Sequence, residues 1–328
     1  MTKLLTITLF CIMAILFAAC GSAGENEPIP SPTPTPMPEF QSICIYTAAD
    51  LIAQMEALFD ADDGVLWGVH LHAPFIFACM TTREAVANMQ HNDGVFQLHE
   101  TGVYLGQLRP GVQIGATVVY VDDRRWGMLP WDWVLDNDQD YILQSMVHEV
   151  FHAWQPELFR GIRTGSFPMH MDSSYSRLTA RLEINALIYA LEASGEERLE
   201  AIHDALSIRA KRRYVNAENT GAVESGMEIA EGTAVYTEIR ITMRNMKDII
   251  AEIERRLDVH HSDSFISIGY TMGALYGLLL SELGADWKTA LRWDSDLSTL
   301  LQEAAGITEL TPFSELDLEQ YGYSQNRR

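Results

Sequence analysis

Three residues of the stretch YILQSMVHEVFHAWQPEL, Tyr141 to Leu158, can do chemistry: His148, Glu149 and His152, in the spacing H-E-x-x-H. On a helix, imidazoles four residues apart lie one above the other, so both can turn a ring nitrogen toward one metal ion. Glu149 then stands about 100° round from His148, at about 3.6 residues per turn, and flanks the ion without binding it. That placement suits a general base acting on a water polarised by the metal. With ten histidines in 328 residues, chance seldom produces this pattern, but the pattern alone is insufficient and its setting must decide.

The setting predicts a helix. Asp136, Asn137 and Asp138 are candidate N-caps, and Pro156 is a stop just past the end. Ile142, Leu143, Met146, Val147, Val150, Phe151 and Trp154 fill the remaining arc, so the helix is buried. An acid and two imidazoles on such a helix need partners, because unpaired buried polar groups cost about 1 to 3 kcal/mol each. A metal would satisfy them.

Zinc needs a third protein ligand. A metzincin would carry a glycine and a histidine three and six places after His152, where this chain has Gln155 and Leu158. Acids on later helices remain: Glu183 in RLEINAL, Glu228, and Glu231 in EIAEGTAVYTEIR. Glu231 is the preferred ligand, because Gly232, Thr233 and Ala234 beside it would let its helix approach the first closely. Glu183 and Glu228 read more simply as solvated or salt-bridging acids, and stay open as rivals. His70 and His72 in GVHLHAP would chelate only from alternating strand positions on one face, and strand packing is the plainer reading.

The histidines in HEVFHAWQ with the downstream glutamate in EGTAVY resemble the gluzincins, the thermolysin-like zinc peptidases. SFISIGYTMGALYGLLLSELGADW resembles the helix that follows the ligand helix in that family, and the similarity spans Thr117 to Trp287. The resemblance implies peptide-bond hydrolysis with one Zn²⁺ per chain, His148, His152 and Glu231 as ligands, and Glu149 as catalytic base. It also implies a Tyr or His after the third ligand that stabilises the oxyanion: Tyr270 first, with His260, His261 and Tyr236 behind it. Core packing is the plain alternative for any of these tyrosines. In such folds an edge strand just before the zinc helix, here within GATVVYVDDRRWGMLPW, pairs with extended substrate backbone. Arg124 and Arg125 would add a charge preference there or simply form the turn after the strand. The chain lacks the thermolysin form N-E-x-x-S-D at the third ligand, so that protein's outer residues do not carry over.

Other elements must position these groups. Between Ile43 and Trp133 a helical stretch, TAADLIAQMEALFDA, precedes strand-like runs in VLWGVHLHAPFIFACM, GVFQLHETGVYLGQL and GATVVYVDD. From Asp138 onward the pattern is almost all helical, with no internal repeat. The expectation is an α+β fold: an N-terminal mixed part with a small sheet, residues 41–135, packed on a mainly helical, zincin-like catalytic part, residues 136–328. A 47% hydrophobic composition can bury a sizeable core.

The N-terminus reads as an export signal. MTKLLTITLFCIMAILFAAC has one cation, Lys3, and an uncharged apolar run from Leu4 to Ala19, short of the roughly 20 residues a spanning helix needs. Its end, FAAC, resembles the bacterial lipoprotein cleavage signal. This implies a signal peptide of residues 1–19 and membrane attachment through lipid on Cys20, facing the extracytoplasmic side. An ordinary secretory signal or an uncleaved anchor would place the remainder outside the cytoplasm too. Residues 20–40, rich in Pro, Ser and Thr, form a spacer.

With 45 Asp and Glu against 23 Lys and Arg, the net charge is −22, which repels nucleic acid rather than attracting it. Cys44 and Cys79 are open between a disulfide and separate burial. Three classes of function follow: a surface zinc peptidase acting on peptide or protein, a peptidase-like lipoprotein that binds peptide or cell-wall material without turnover, and a structural protein in which the motif is accidental.

Overall fold

In the computed structural model, which describes residues 40–90, 96–121, 123–161, 168–216, 220–259 and 265–326, the consecutive apolar residues Phe75–Ala78 form a strand buried on both faces. Alternation sends Phe75 and Phe77 into the large core under the helices, and Ile76 and Ala78 into a smaller cluster behind the sheet with Phe96, Trp126 and Met128. This strand, β1, belongs to a six-stranded sheet with β2 (Glu84–Ala87), β3 (Gln97–Leu98), β4 (Tyr104–Gln107), β5 (Thr117–Val121) and β6 (Arg124–Pro130). The order is β3-β4-β2-β1-β6-β5, and only the β1–β6 pair is parallel. β5 is an edge strand, paired with β6 through a turn in which Asp123 takes a positive φ of 58°. Arg124 and Arg125 therefore open β6 instead of forming the turn, and Arg125 pairs with Glu157 at 3.0 Å.

The helices are α1 (Ile45–Asp62), α2 (Trp131–Asp136), α3 (Gln139–Leu158), α4 (Ser174–Glu192), α5 (Gly195–Val215), α6 (Thr220–Met227), α7 (Thr233–Thr242), α8 (Met246–Val259), α9 (Phe265–Glu282) and α10 (Leu297–Ala304). A single π turn, Glu228–Gly232, joins α6 to α7. The fold is α+β, with the sheet in the N-terminal part and a helical C-terminal part, both within the unit Glu39–Arg328. The signal peptide, Cys20 and most of the spacer lie outside the described residues.

The H-E-x-x-H segment is α3. Asp138 is its N-cap, accepting from the Tyr141 amide at 2.9 Å. Pro156 does not stop the helix, which runs two residues further. A proline this late withdraws only the bond to the His152 carbonyl, and the Phe159 amide still closes the turn on Gln155 O at 2.8 Å. α3 lies directly on β6, where a Cβ at Gly127 would come within 3.1 Å of the Glu149 and Val150 backbone. The sheet thus fixes the height of the histidines. Cys44 and Cys79 are both free thiols: Cys44, the N-cap of α1, is exposed, and Cys79 is buried.

Candidate metal centre

Four residues apart on α3, His148 and His152 bring their Nε2 atoms to 3.0 Å, with the rings edge to face. Glu231, from the π turn, sets Oε2 at 3.1 Å from His152 Nε2 and 3.5 Å from His148 Nε2. Ligands about 2.0–2.2 Å from a tetrahedral ion stand roughly 3.3 Å from one another. The three donors therefore fit a zinc ion, in chemistry and in spacing.

Charge favours a cation at the same point. Burial works against a charged imidazole at His148, but hydrogen bonds to Glu231 and Glu238 outweigh it and hold its pKa up at about 10. Burial also opposes charge on Glu231, yet the two histidines hold its carboxyl far below the usual range.

Partners behind the donors fix which nitrogen faces inward. His148 Nδ1 donates to Glu238 Oε2 at 2.7 Å, and His152 Nδ1 donates to Gln155 Oε1 at 2.8 Å. Glu238, on α7, is kept ionised against its burial by Arg256 of α8, which it contacts directly. Arg256 in turn bonds Glu252 and Gln144. Gln155 also donates through Nε2 to Ala230 O at 2.6 Å and Thr233 Oγ1 at 3.1 Å, tying α3 to the ligand turn.

The sequence reading missed both of these partners. Glu238 had a signal, since it lies seven residues, about two turns, beyond Glu231. Gln155 had none except its position three after His152.

Glu149 is 6% exposed, and its Oε2 is buried without a hydrogen-bond partner among the described residues. Burial raises its pKa, with the two histidines pulling the other way. An unpartnered buried carboxylate oxygen is costly and calls for an explanation. Glu149 and His148 line a cavity of about 330 Å³ with Trp133, Ile268 and Tyr270, and Ala116 at the head of β5 reaches the same cavity. Tyr270, on α9, lays its ring parallel to His148 at 5.9 Å.

The other candidates lie elsewhere. Glu183 pairs with Arg209 and Arg212 in a buried cluster, and Glu228 pairs with Arg209. Neither reaches the imidazoles, because their charge is already matched. Tyr236 is core: it is 1% exposed between Trp67 and Trp287, with its hydroxyl on Ser281 at 2.9 Å. His70 and His72 sit in an irregular segment ahead of β1, where Gly64 and Gly68 take positive φ, and His70 faces Asp60. His260 and His261 lie outside the described residues.

Gly232 does not serve the approach of its helix to α3. A Cβ there would fall 2.4 Å from the Gly273 Cα, so the missing side chain admits α9. Contact with α3 is made through Thr233 and Gln155 instead. Comparison of the chain with family models, with curated proteins and with solved structures finds no match.

Proposed function

We propose that this chain is a zinc-dependent peptidase that hydrolyses peptide bonds outside the cytoplasm. The observation that carries the reading is the convergence of His148, His152 and Glu231 at 3.0–3.5 Å, with His148 and the unpartnered Glu149 carboxylate lining one cavity. His148, His152 and Glu231 would hold one Zn²⁺, which when bound supplies a Lewis acid for the water and the scissile carbonyl.

The chain's own groups do the rest. Glu149 removes the proton from the attacking water and passes it to the leaving amine, a role suited to a carboxyl whose pKa burial has raised above its usual value. Glu238 and Gln155 keep the imidazoles in the ligating orientation. The free edge of β5, which leads from Ala116 at the cavity, suits pairing with an extended peptide backbone. Metal analysis of the purified protein, followed by turnover of a broad peptide library, tests the reading. Absence of bound metal removes it, and bound zinc without cleavage of any peptide would favour a binding protein.

Tyr270 donates to the carbonyl oxygen as charge develops there. Tyr270→Phe is expected to lower kcat by about 10² to 10³ with little change in KM or zinc content. A merely packed tyrosine would instead lose about 1 kcal/mol of stability and leave kcat intact. Measuring kcat, KM, zinc and Tm on the same sample separates the two roles.

The proposed location is the extracytoplasmic face of the membrane, anchored through lipid on Cys20, on the strength of the FAAC signal. Labelled fatty acid should enter the wild-type chain and not Cys20→Ala. Equal labelling of both would move the anchor elsewhere.

A further inference from the structure

Arg209 of α5 is 2% exposed and Glu228 is 1% exposed. Arg209 Nη2 donates to both Glu228 oxygens, at 2.7 and 2.6 Å, and Nη1 donates to Glu183 at 2.8 Å. The Tyr276 hydroxyl completes Glu183 at 2.7 Å, and the Tyr276 ring lies against the guanidinium. Burying such a pair sacrifices hydration that the attraction barely restores, so apolar packing of equal volume would serve stability as well. Its presence calls for a positional reason.

That reason lies three residues along the chain. Glu228 opens the π turn that carries Glu231. At about 100° per residue in an α-helix, positions three apart stand roughly 60° apart and face the same side. A π turn advances roughly 80° per residue, which opens the separation to about 120°. The widened turn is what lets Glu228 face the arginine while Glu231 faces the imidazoles. From the third side α9 closes on it: a Cβ at Gly273 would fall 2.5 Å from the Glu228 carbonyl oxygen. The π turn is thus held at Glu228 by its two hydrogen bonds from Arg209 and at Gly232 by backbone contact, leaving Glu231 as the side chain aimed at α3.

We propose that Arg209 and Glu228 are positioning residues for the metal centre, fixing the π turn so that Glu231 completes the ligand set. The inference rests on the metallopeptidase reading above. It makes the ion pair a determinant of metal affinity and coordination, at a distance from the ion and without contact to it.

The test is zinc affinity, by competition with a chromogenic chelator, and the visible absorption of the cobalt(II)-loaded protein, which reports coordination. Full-length Arg209→Met and Glu228→Gln should each bind zinc about 10- to 100-fold more weakly and change the cobalt spectrum. Glu224→Gln is the control, since Glu224 is 3% exposed in the same cluster, one turn before the π segment, bonded to Arg212 and Arg213 at 3.0 Å and no nearer than 4.0 Å to Arg209. It should lower Tm but leave affinity and spectrum at wild-type values. If Arg209→Met does not fold, Glu228→Gln, which keeps the shape and removes only the charge, carries the comparison.

Wild-type zinc affinity and spectrum in folded Arg209→Met or Glu228→Gln would overturn the inference. An equal loss in Glu224→Gln would overturn it too, by showing that any damage to the cluster weakens the site. A wild-type chain that binds no zinc would remove the metallopeptidase reading together with this one.

Discussion

His148→Ala and His152→Ala are each expected to leave a folded chain that retains no zinc and cleaves no peptide. Each removes one of three converging donors, and the remaining histidine and Glu231 cannot close a tetrahedral site. The loss should exceed the roughly 10- to 100-fold expected for removing an outer partner such as Glu238. Stability offers a readout independent of activity. A ligand at about 1,000 times its Kd stabilises the folded state by about 4 kcal/mol, so a strong chelator should lower the Tm of the wild-type chain by several degrees. The same chelator should not move the Tm of His148→Ala. Full zinc retention in both variants would end the metal-centre reading.

Glu149→Gln should separate chemistry from binding. The amide keeps the shape of the side chain in its 6% exposed site but cannot accept a proton, so zinc content should stay at one per chain while kcat falls by about 10⁴. That figure is the upper end of what one positioned base contributes, and it is expected here because the same carboxyl both takes and returns the proton. KM should change little, since a group acting only in the transition state leaves ground-state binding intact. Stability should if anything rise, because the substitution removes a buried carboxylate whose Oε2 has no partner among the described residues. Turnover near the wild-type rate would assign the proton transfer to another group.

Much of the centre was readable in the sequence because it depends on short-range geometry. Residues four apart on a helix must share a face, so His148 and His152 were paired as soon as α3 was assigned, and its start lies among the three candidate caps, at Asp138. The choice of Glu231 over Glu183 and Glu228 was also readable, from the small residues that follow it. That reason holds in part: Gly232 admits α9, while Thr233, another of the small residues, is the one that meets α3. Residue size predicts that something comes close without saying what.

The strands were less legible. β2, Glu84–Ala87, is a four-residue run covered on both faces, which leaves no alternation to detect. Arg124 and Arg125 were open between a charge preference and the turn after the strand, yet β6 begins there, at the exposed end of a strand that becomes buried from Trp126 onward.

By itself the sequence determined the α+β class, the metal-type donor pair and the acid beside it, because each is written in spacing or composition within one segment. Only the tertiary structure decided what stands behind those groups. Glu238 on His148 and Arg209 on Glu228 join residues 90 and 19 positions apart, through side-chain directions set by how α3, α5 and α7 cross and by one π turn. No local pattern encodes those crossings. They arise from the packing of whole helices, where a glycine such as Gly127 or Gly273 sets how closely two backbones meet.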